Sequence, residues 1–318
     1  MLSRIIQEEV FSLSATTGPV THDFHTVGIT WSPVYLLDGR HPALFEAGFA
    51  CAGKLYAAGI RSILASRQPE ILFLTHSHWD HIGSVSFLKR AFPSLKVAAS
   101  RGTAEILKRP NAIELMGRLS QEVIRAVEKL PDIDPSQLLK SPFRAFHVDL
   151  VLEDGQIIDL GADLSVEVLS TPGHARDHLS YYIPERRILI ATEVCGMLDR
   201  AGNIITEFLF DYDAYLSSMK RLASLRAEVL CQGHHYVFVG EEEVAAFFAR
   251  SVSEAEQFKE HVYGLLRLHG ASVERVVQQI KAEQWDTNKG AKQIEGAYVL
   301  NLRTRVAHLA EKMKREGG

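Results

Sequence analysis

Up to about residue 240 the chain alternates two hydrophobic rhythms. Short apolar runs closed by Gly, Pro or Asp turns read as strands: Trp31 to Leu37, Ala43 to Glu46, Ile71 to Leu74, Asp149 to Leu152, Ile157 to Leu160, Ser165 to Leu169, Arg187 to Ala191 and Val229 to Cys231. Asp38-Gly39-Arg40 joins the first two at hairpin spacing. Between them lie amphipathic stretches of helical period: Leu55 to Ala65, Gly83 to Phe92 with Val85, Leu88 and Phe92 on one face, and Ala214 to Leu225 with Tyr215, Met219 and Leu222. Residues 102 to 146 interrupt the strands with a helical insertion, clearest between Pro110 and Pro131, where Ile113, Met116, Val123, Val127 and Leu130 share a face. That face reads as core, and the insertion as a candidate wall of a substrate pocket.

Beyond Gly240 only the helical period remains. Glu241-Glu242-Glu243 suits the positive end of a helix whose stripe, Val244, Phe248, Val252, Ala255, Phe258, Val262 and Leu265, runs to Gly270. Val273, Val276, Val277 and Ile280 mark a second helix; Ile294, Tyr298, Leu302, Val306 and Leu309 mark a third. The expected organisation is an α/β unit over residues 1–240 and an all-helical extension over 241–318.

Composition narrows the partners. At 318 residues and 46% hydrophobic the chain can bury a large core, and a net charge of −4 offers no footprint for nucleic acid or an anionic membrane. Residues 241–318 balance 12 Lys and Arg against 12 Asp and Glu, so the extension reads as a cap over a site or a homodimer surface. Cys51, Cys195 and Cys231 are too few and scattered for a disulfide framework, and Glu8 and Glu9 break the apolar character of Met1 to Val20, unlike a signal peptide. No apolar run reaches the roughly 18 residues of a membrane span. The expectation is a cytoplasmic protein acting on a small molecule.

The candidate chemistry is concentrated where the run Ile71 to Leu74 delivers Thr75-His76-Ser77-His78-Trp79-Asp80-His81. In an extended segment side chains at i and i+2 point the same way, so His76 and His78 can share one metal. Asp80 and His81 are neighbours and diverge, which calls for a second ion nearby. Two further runs end in a histidine-bearing loop, at Thr171-Pro172-Gly173-His174 and Gln232-Gly233-His234-His235; Arg187 to Ala191 ends in Thr192-Glu193-Val194-Cys195. No Gly-rich phosphate loop and no Gly-x-Ser-x-Gly elbow accompany them.

The pattern His-x-His-x-Asp-His, with Gly83 close behind, resembles the signature of the metallo-β-lactamase-fold superfamily. The resemblance covers most of residues 28 to 236, with the motifs in family order. It implies a four-layer αβ/βα sandwich with the metals at the shared edge of two mixed sheets. It assigns His76, His78 and His174 to one divalent ion and Asp80, His81 and His234 to a second, with His235 as the competitor of His234. The family usually carries Asp where this chain has Glu193, the expected bridge between the ions, and again where it has Glu46. Cys195 would face the same way as Glu193 along an extended chain, although a buried thiol is the plainer reading. Asp177 and His178 read as near the site, facing substrate, or as a polar helix start. Zinc is the first expectation for both ions, with iron or manganese also suited.

What the resemblance implies chemically is hydrolysis by metal-activated hydroxide, aimed by Asp80 as the catalytic carboxylate. The helical extension and Tyr215 to Leu222 look similar to family members such as the thioesterases of bacterial alkyl-quinolone signalling, pointing to an acyl thioester, or an ester or lactone. Two other classes stay open. His76, His174 and Glu193 could form the two-histidine-one-carboxylate face of a non-haem iron persulfide dioxygenase, or the chain could be a regulatory protein that retains the site.

Overall fold

The computed structural model describes residues 13–14, 17–131, 133–288 and 294–317; most of Met1 to Val20, judged unlike a signal peptide, lies outside them. In chain order the first half comprises β1 (Leu13–Ser14), β2 (Gly18–Pro19), β3 (Phe24–Val27), β4 (Val34–Leu37), β5 (Ala43–Phe45), α1 (Gly53–Leu64), β6 (Ile71–Phe73), α2 (Trp79–Ile82), α3 (Val85–Ala91), β7 (Lys96–Ser100), α4 (Arg101–Ile106), α5 (Pro110–Glu122), α6 (Ile124–Val127) and β8 (Leu150–Leu152). The second half comprises β9 (Ile157–Gly161), β10 (Leu164–Ser170), β11 (Leu179–Ile183), β12 (Ile188–Ile190), β13 (Met197–Leu198), β14 (Ile204–Ile205), α7 (Tyr212–Ala223), β15 (Val229–Cys231), β16 (Val237–Val239), α8 (Glu241–Leu268), α9 (Val273–Ile280) and α10 (Glu295–Glu316).

Two seven-stranded mixed sheets result, ordered β2-β3-β4-β5-β6-β7-β8 and β1-β16-β15-β12-β11-β10-β9; β13 and β14 form a separate hairpin. β5 to β8 run parallel, as do β12 and β15. The continuous apolar runs follow from this burial on both faces. In β4, Val34 and Leu36 pack under the helices while Tyr35 and Leu37 enter the space between the sheets. β12 and β15 divide likewise: Leu189 and Leu230 face outward helices, and Ile188, Ile190, Val229 and Cys231 face the other sheet. The layers are therefore helix, sheet, sheet, helix, the αβ/βα sandwich expected.

Tyrosines tie the sheets together near their upper edge. Tyr35 Oη donates to the carbonyl of Gln232 at 2.5 Å and Tyr181 Oη to that of Leu74 at 2.6 Å. Above these ties β5, β6, β10, β12 and β15 all end at one edge, and Glu46, His76, His174, Glu193 and His234 each follow one of those ends. Strand ends opening onto a shared crevice are the usual seat of a site in α/β proteins.

Several elements differ from the expectation. The strands β3, β7, β11 and β16 were not legible as separate runs, and Trp31 precedes β4 rather than belonging to it. The helix expected over Gly83 to Phe92 is α3 alone, with Gly83 and Ser84 separating it from α2. The insertion is helical only in its first half, apart from a single turn at Pro135–Gln137; its α5 packs against α2, which carries Asp80 and His81.

The extension shares a core with the second sheet. Val244, Phe247, Phe248, Ala255, Val262 and Leu266 of α8 and Leu302, Val306 and Leu309 of α10 belong to one cluster with Tyr215, Met219, Leu230 and Phe238. Ile294, just before α10, packs instead on the cluster outside the first sheet. The start of α10 thus touches both halves of the sandwich. Among the described residues no helix is long and apolar enough to cross a membrane.

Candidate metal centre

After β6 the chain bends at Thr75 and runs outside regular structure to His78, whose extended backbone (φ −70°, ψ 143°) opens α2. The rings of His76 and His78 stand together, centroids 4.4 Å apart, as their i, i+2 spacing suggested. His174 reaches them from the other sheet, its Nε2 3.0 Å from His78 Nδ1. One donor atom from each of these three lies within 4.8 Å of the others, as holds also for Asp80, His81 and His234. The turn of α2 separates the two groups, since it sends Asp80 and His81 to a different side from His78.

Glu193 lies between them. Its Oε2 is 3.8 Å from His76 Nε2, and its Oε1 is 3.1 Å from His81 Nε2 and 3.2 Å from His234 Nε2. None of these approaches has hydrogen-bond geometry: His76 Nε2 and both carboxylate oxygens are buried without a hydrogen-bond partner among the described residues. Room for the longer acidic side chain comes from Gly233, where a Cβ would stand 1.9 Å from Glu193 Oε1. Thr192–Cys195 forms a tight helical turn, entered through Thr192 at φ 47°. The extended-chain argument for Cys195 therefore fails. Its thiol lies against the carbonyls of Thr192 and Gly196, at 3.0 and 3.2 Å, and it belongs to none of the candidate metal groups.

The remaining nitrogen of most rings is engaged from behind. His76 Nδ1 meets Thr75 Oγ1 at 2.9 Å, His174 Nδ1 donates to the carbonyl of Glu207 at 2.7 Å, and His234 Nδ1 donates to that of Trp31. His81 Nδ1 donates to Glu46, whose other oxygen accepts from the Thr75 amide at 2.8 Å. Carbonyl or carboxylate partners fix the Nδ1–H tautomer for His81, His174 and His234, leaving each Nε2 lone pair aimed at the shared space. Glu46 therefore orients the His81 ring.

His178 falls within donor distance of His76 and Glu193, yet both its nitrogens are occupied, by Thr171 Oγ1 at 3.0 Å and Thr192 Oγ1 at 2.9 Å. It is a buried packing ring. Asp177 accepts from the Ser77 amide at 3.0 Å and from Thr103 Oγ1 at 2.7 Å, pinning the loop between His76 and His78 to α4. Neither begins a helix, since β11 starts at Leu179. His235 points elsewhere, its ring 6.3 Å from that of His234. Sequence reasoning missed Glu207, whose carbonyl holds His174 and which no local pattern distinguishes.

Electrostatics show what the cluster needs. Burial, with His81 and His78 alongside, holds His76 well below the usual histidine range, and burial together with His174 brings His78 down to about 4. Burial also opposes charge on His81, but Glu193, Glu46 and Asp80 outweigh it and favour a proton on its Nε2, which a cation bound there would displace. Burial would raise Glu193; the surrounding imidazoles, His81 foremost, keep it ionised instead. Lone pairs and a bare carboxylate converging in a dry space are costly unless a cation sits among them. The donor set of imidazole nitrogens and carboxylate oxygens fits zinc, and also iron or manganese.

The sequence profile of the metallo-beta-lactamase superfamily matches residues 32–234, well over half of the chain. The protein belongs to the metallo-beta-lactamase superfamily. Within it, the chain is 30% identical over 217 residues to the acyl-coenzyme A thioesterase MBLAC2 of Bos taurus, covering 63% of this chain and 70% of that one. Its Homo sapiens counterpart is 29% identical, over 60% of this chain and 64% of its own length. A hydroxyacylglutathione hydrolase of Rhodopseudomonas palustris (strain BisB5) is 27% identical over 38% of this chain and 32% of its own. The chain thus spans about two thirds of the thioesterases and about a third of the hydroxyacylglutathione hydrolase. Among solved structures, an archaeal superfamily protein from Sulfolobus tokodaii superposes with a TM-score of 0.54 at 18% identity, over 92% of this chain and 99% of that one. The rubredoxin oxygen:oxidoreductase of Desulfovibrio gigas gives 0.55 at 19%, over 76% and 62%. At such identities the likeness is one of fold.

Proposed function

We propose that this protein hydrolyses acyl thioesters, or related esters and lactones, at a centre for two divalent cations. The observation that carries the reading is the unpartnered set of buried donors, His76 Nε2 and both oxygens of Glu193, at the meeting point of the other ring nitrogens. His76, His78 and His174 would hold one cation, Asp80, His81 and His234 the other, with Glu193 between them. Bound there, such cations would make a nucleophile available from water near neutral pH and polarise the acyl carbonyl.

The protein's own groups do the rest. Glu46, Thr75 and the carbonyls of Trp31 and Glu207 hold the rings in place, so that little rotation is needed on loading. Asp80 is the more open carboxylate, its side chain 19% exposed against 2% for Glu193, and is placed to accept a hydrogen bond from a water entering the site and orient it. A thioester suits a site with no assigned proton donor: a thiol of pKa about 8.5 leaves readily as thiolate, whereas an amine must be protonated first. The named activities of the MBLAC2 and hydroxyacylglutathione relatives support the same substrate class. Three buried free cysteines accord with a reducing cytoplasm.

The test is a panel of acyl-coenzyme A and hydroxyacylglutathione thioesters, beside esters and lactones, assayed with metal-loaded protein. Thioester cleavage lost to a chelator and restored by zinc is expected. Oxygen uptake with a persulfide, and no hydrolysis across the panel, would overturn the reading.

A further inference from the structure

The geometry points to Asn301 and Arg305 on α10 as positioning residues for the metal centre, holding the Thr206–Glu207 segment whose carbonyl fixes the ring of His174. The inference rests on the reading of His174 as a ligand and extends it to the helical extension.

Glu207 lies between β14 and α7, outside any strand or helix, so no ladder sets the position of its carbonyl. From one side Gly173 restrains the segment, its carbonyl accepting from the amides of Phe210 at 2.9 Å and Asp211 at 3.1 Å. The Glu207 carbonyl also accepts locally from the Leu209 amide at 3.1 Å, and α10 reaches the segment from the other side. Arg305 Nη1 donates to the carbonyl of Thr206 at 2.9 Å, and Asn301 Nδ2 donates to Glu207 Oε1 at 3.0 Å. At i and i+4 these side chains occupy one face of α10. Their neighbours Leu302, Val306 and Leu309 join the apolar cluster below.

The polarity of this contact is informative. Arg305 is 4% and Glu207 5% exposed, and the guanidinium lies over the Phe258 ring at 4.5 Å with its Nε unpartnered among the described residues. Burying such groups is costly unless they are well paired, so a helix that only kept out solvent would do better with leucine. Burial pushes the Glu207 carboxyl up, and Arg305 and Asn301 offset part of that cost. What the polar contact supplies is direction: it holds the Thr206 carbonyl and the Glu207 side chain, next to the Glu207 carbonyl that accepts from an imidazole that must point its Nε2 at the shared space. Through it the extension acts on cation affinity.

The experiment compares Asn301→Ala and Arg305→Met with Leu300→Ala, a control at an exposed position of the same helix. Zinc alone is titrated into metal-free protein, and exchange of the His174 Nδ1 proton with solvent is followed by NMR in the metal-free state. The variants should bind zinc about 10-fold more weakly at one site, the low end of the range for residues that orient metal ligands. The His174 proton should exchange faster in both, with Leu300→Ala unchanged. Wild-type zinc affinity and wild-type proton protection in folded Asn301→Ala would overturn the inference; if Arg305→Met does not fold, Asn301→Ala decides alone. Should the wild-type protein take up no zinc, the metal reading fails by itself, and the exchange measurement still decides whether α10 holds His174.

Discussion

The close approach of Gly233 to Glu193 yields a double-mutant test of the bridging carboxylate. In Gly233→Ala the new methyl would stand 1.9 Å from Glu193 Oε1 and 2.9 Å from His81 Cε1. An ordinary contact lies at 3.4 Å or beyond, so the carboxylate must retreat by about 1.5 Å. Metal sites tolerate displacements of about 0.2 Å. The substitution should therefore weaken zinc binding about 10- to 100-fold, comparable to losing a residue that orients a ligand. Glu193→Asp shortens the side chain by one carbon–carbon bond, also about 1.5 Å, and should weaken binding by falling short. The two effects are not independent, because once the methylene is gone the methyl no longer strikes the carboxylate and only its approach to His81 Cε1 remains. Adding Gly233→Ala to Glu193→Asp should therefore cost less than adding it to the wild type. Zinc titration of the four proteins, with circular dichroism to confirm folding, measures the coupling. Additive losses would refute the claim that Gly233 makes room for the glutamate.

Glu46→Gln replaces an acceptor shared by His81 and the Thr75 amide with a group that must turn a donor towards one of them; zinc affinity at the Asp80, His81 and His234 group should fall about 10- to 100-fold by titration. His178→Phe should leave metal content unchanged by elemental analysis, because both His178 nitrogens already serve threonines, while melting falls as those hydroxyls lose partners. Truncation after Gly240 removes Phe247, Phe248, Leu266 and Leu302 from a shared core at about 1.5–3 kcal/mol each, against a domain stability of about 5–15 kcal/mol. The truncate should be insoluble or lack a cooperative melt, and a folded truncate would show the extension to be separable.

The sandwich was legible where long-range burial leaves a local mark. Ile71 to Leu74 and Val229 to Cys231 are apolar throughout because both faces are covered, and histidines just past their ends stand out. Lys96 to Ser100 is no less a central strand, but its small residues, Ala98 and Ala99, carry little strand preference. Leu179 to Ile183 was hidden by Asp177 and His178, two polar residues before a strand that suggested the start of a helix. Cys195 is the buried thiol expected, and only the alternative of its facing the same way as Glu193 fails, because one positive φ at Thr192 turns the segment into a tight coil. Asp177 reaching Ser77 and Arg305 reaching Thr206 join residues about a hundred positions apart, and no local pattern carries that information. The helices of the extension were visible from their stripes; what they cover was not.

Elemental analysis of fully loaded wild-type protein, as moles of metal per mole of chain, tests the central claim most directly. The arrangement of His76, His78 and His174 beside Asp80, His81 and His234, with Glu193 between, predicts two ions per chain, falling to about one in His234→Ala. One ion per chain in the wild type, unchanged by His234→Ala, would contradict it.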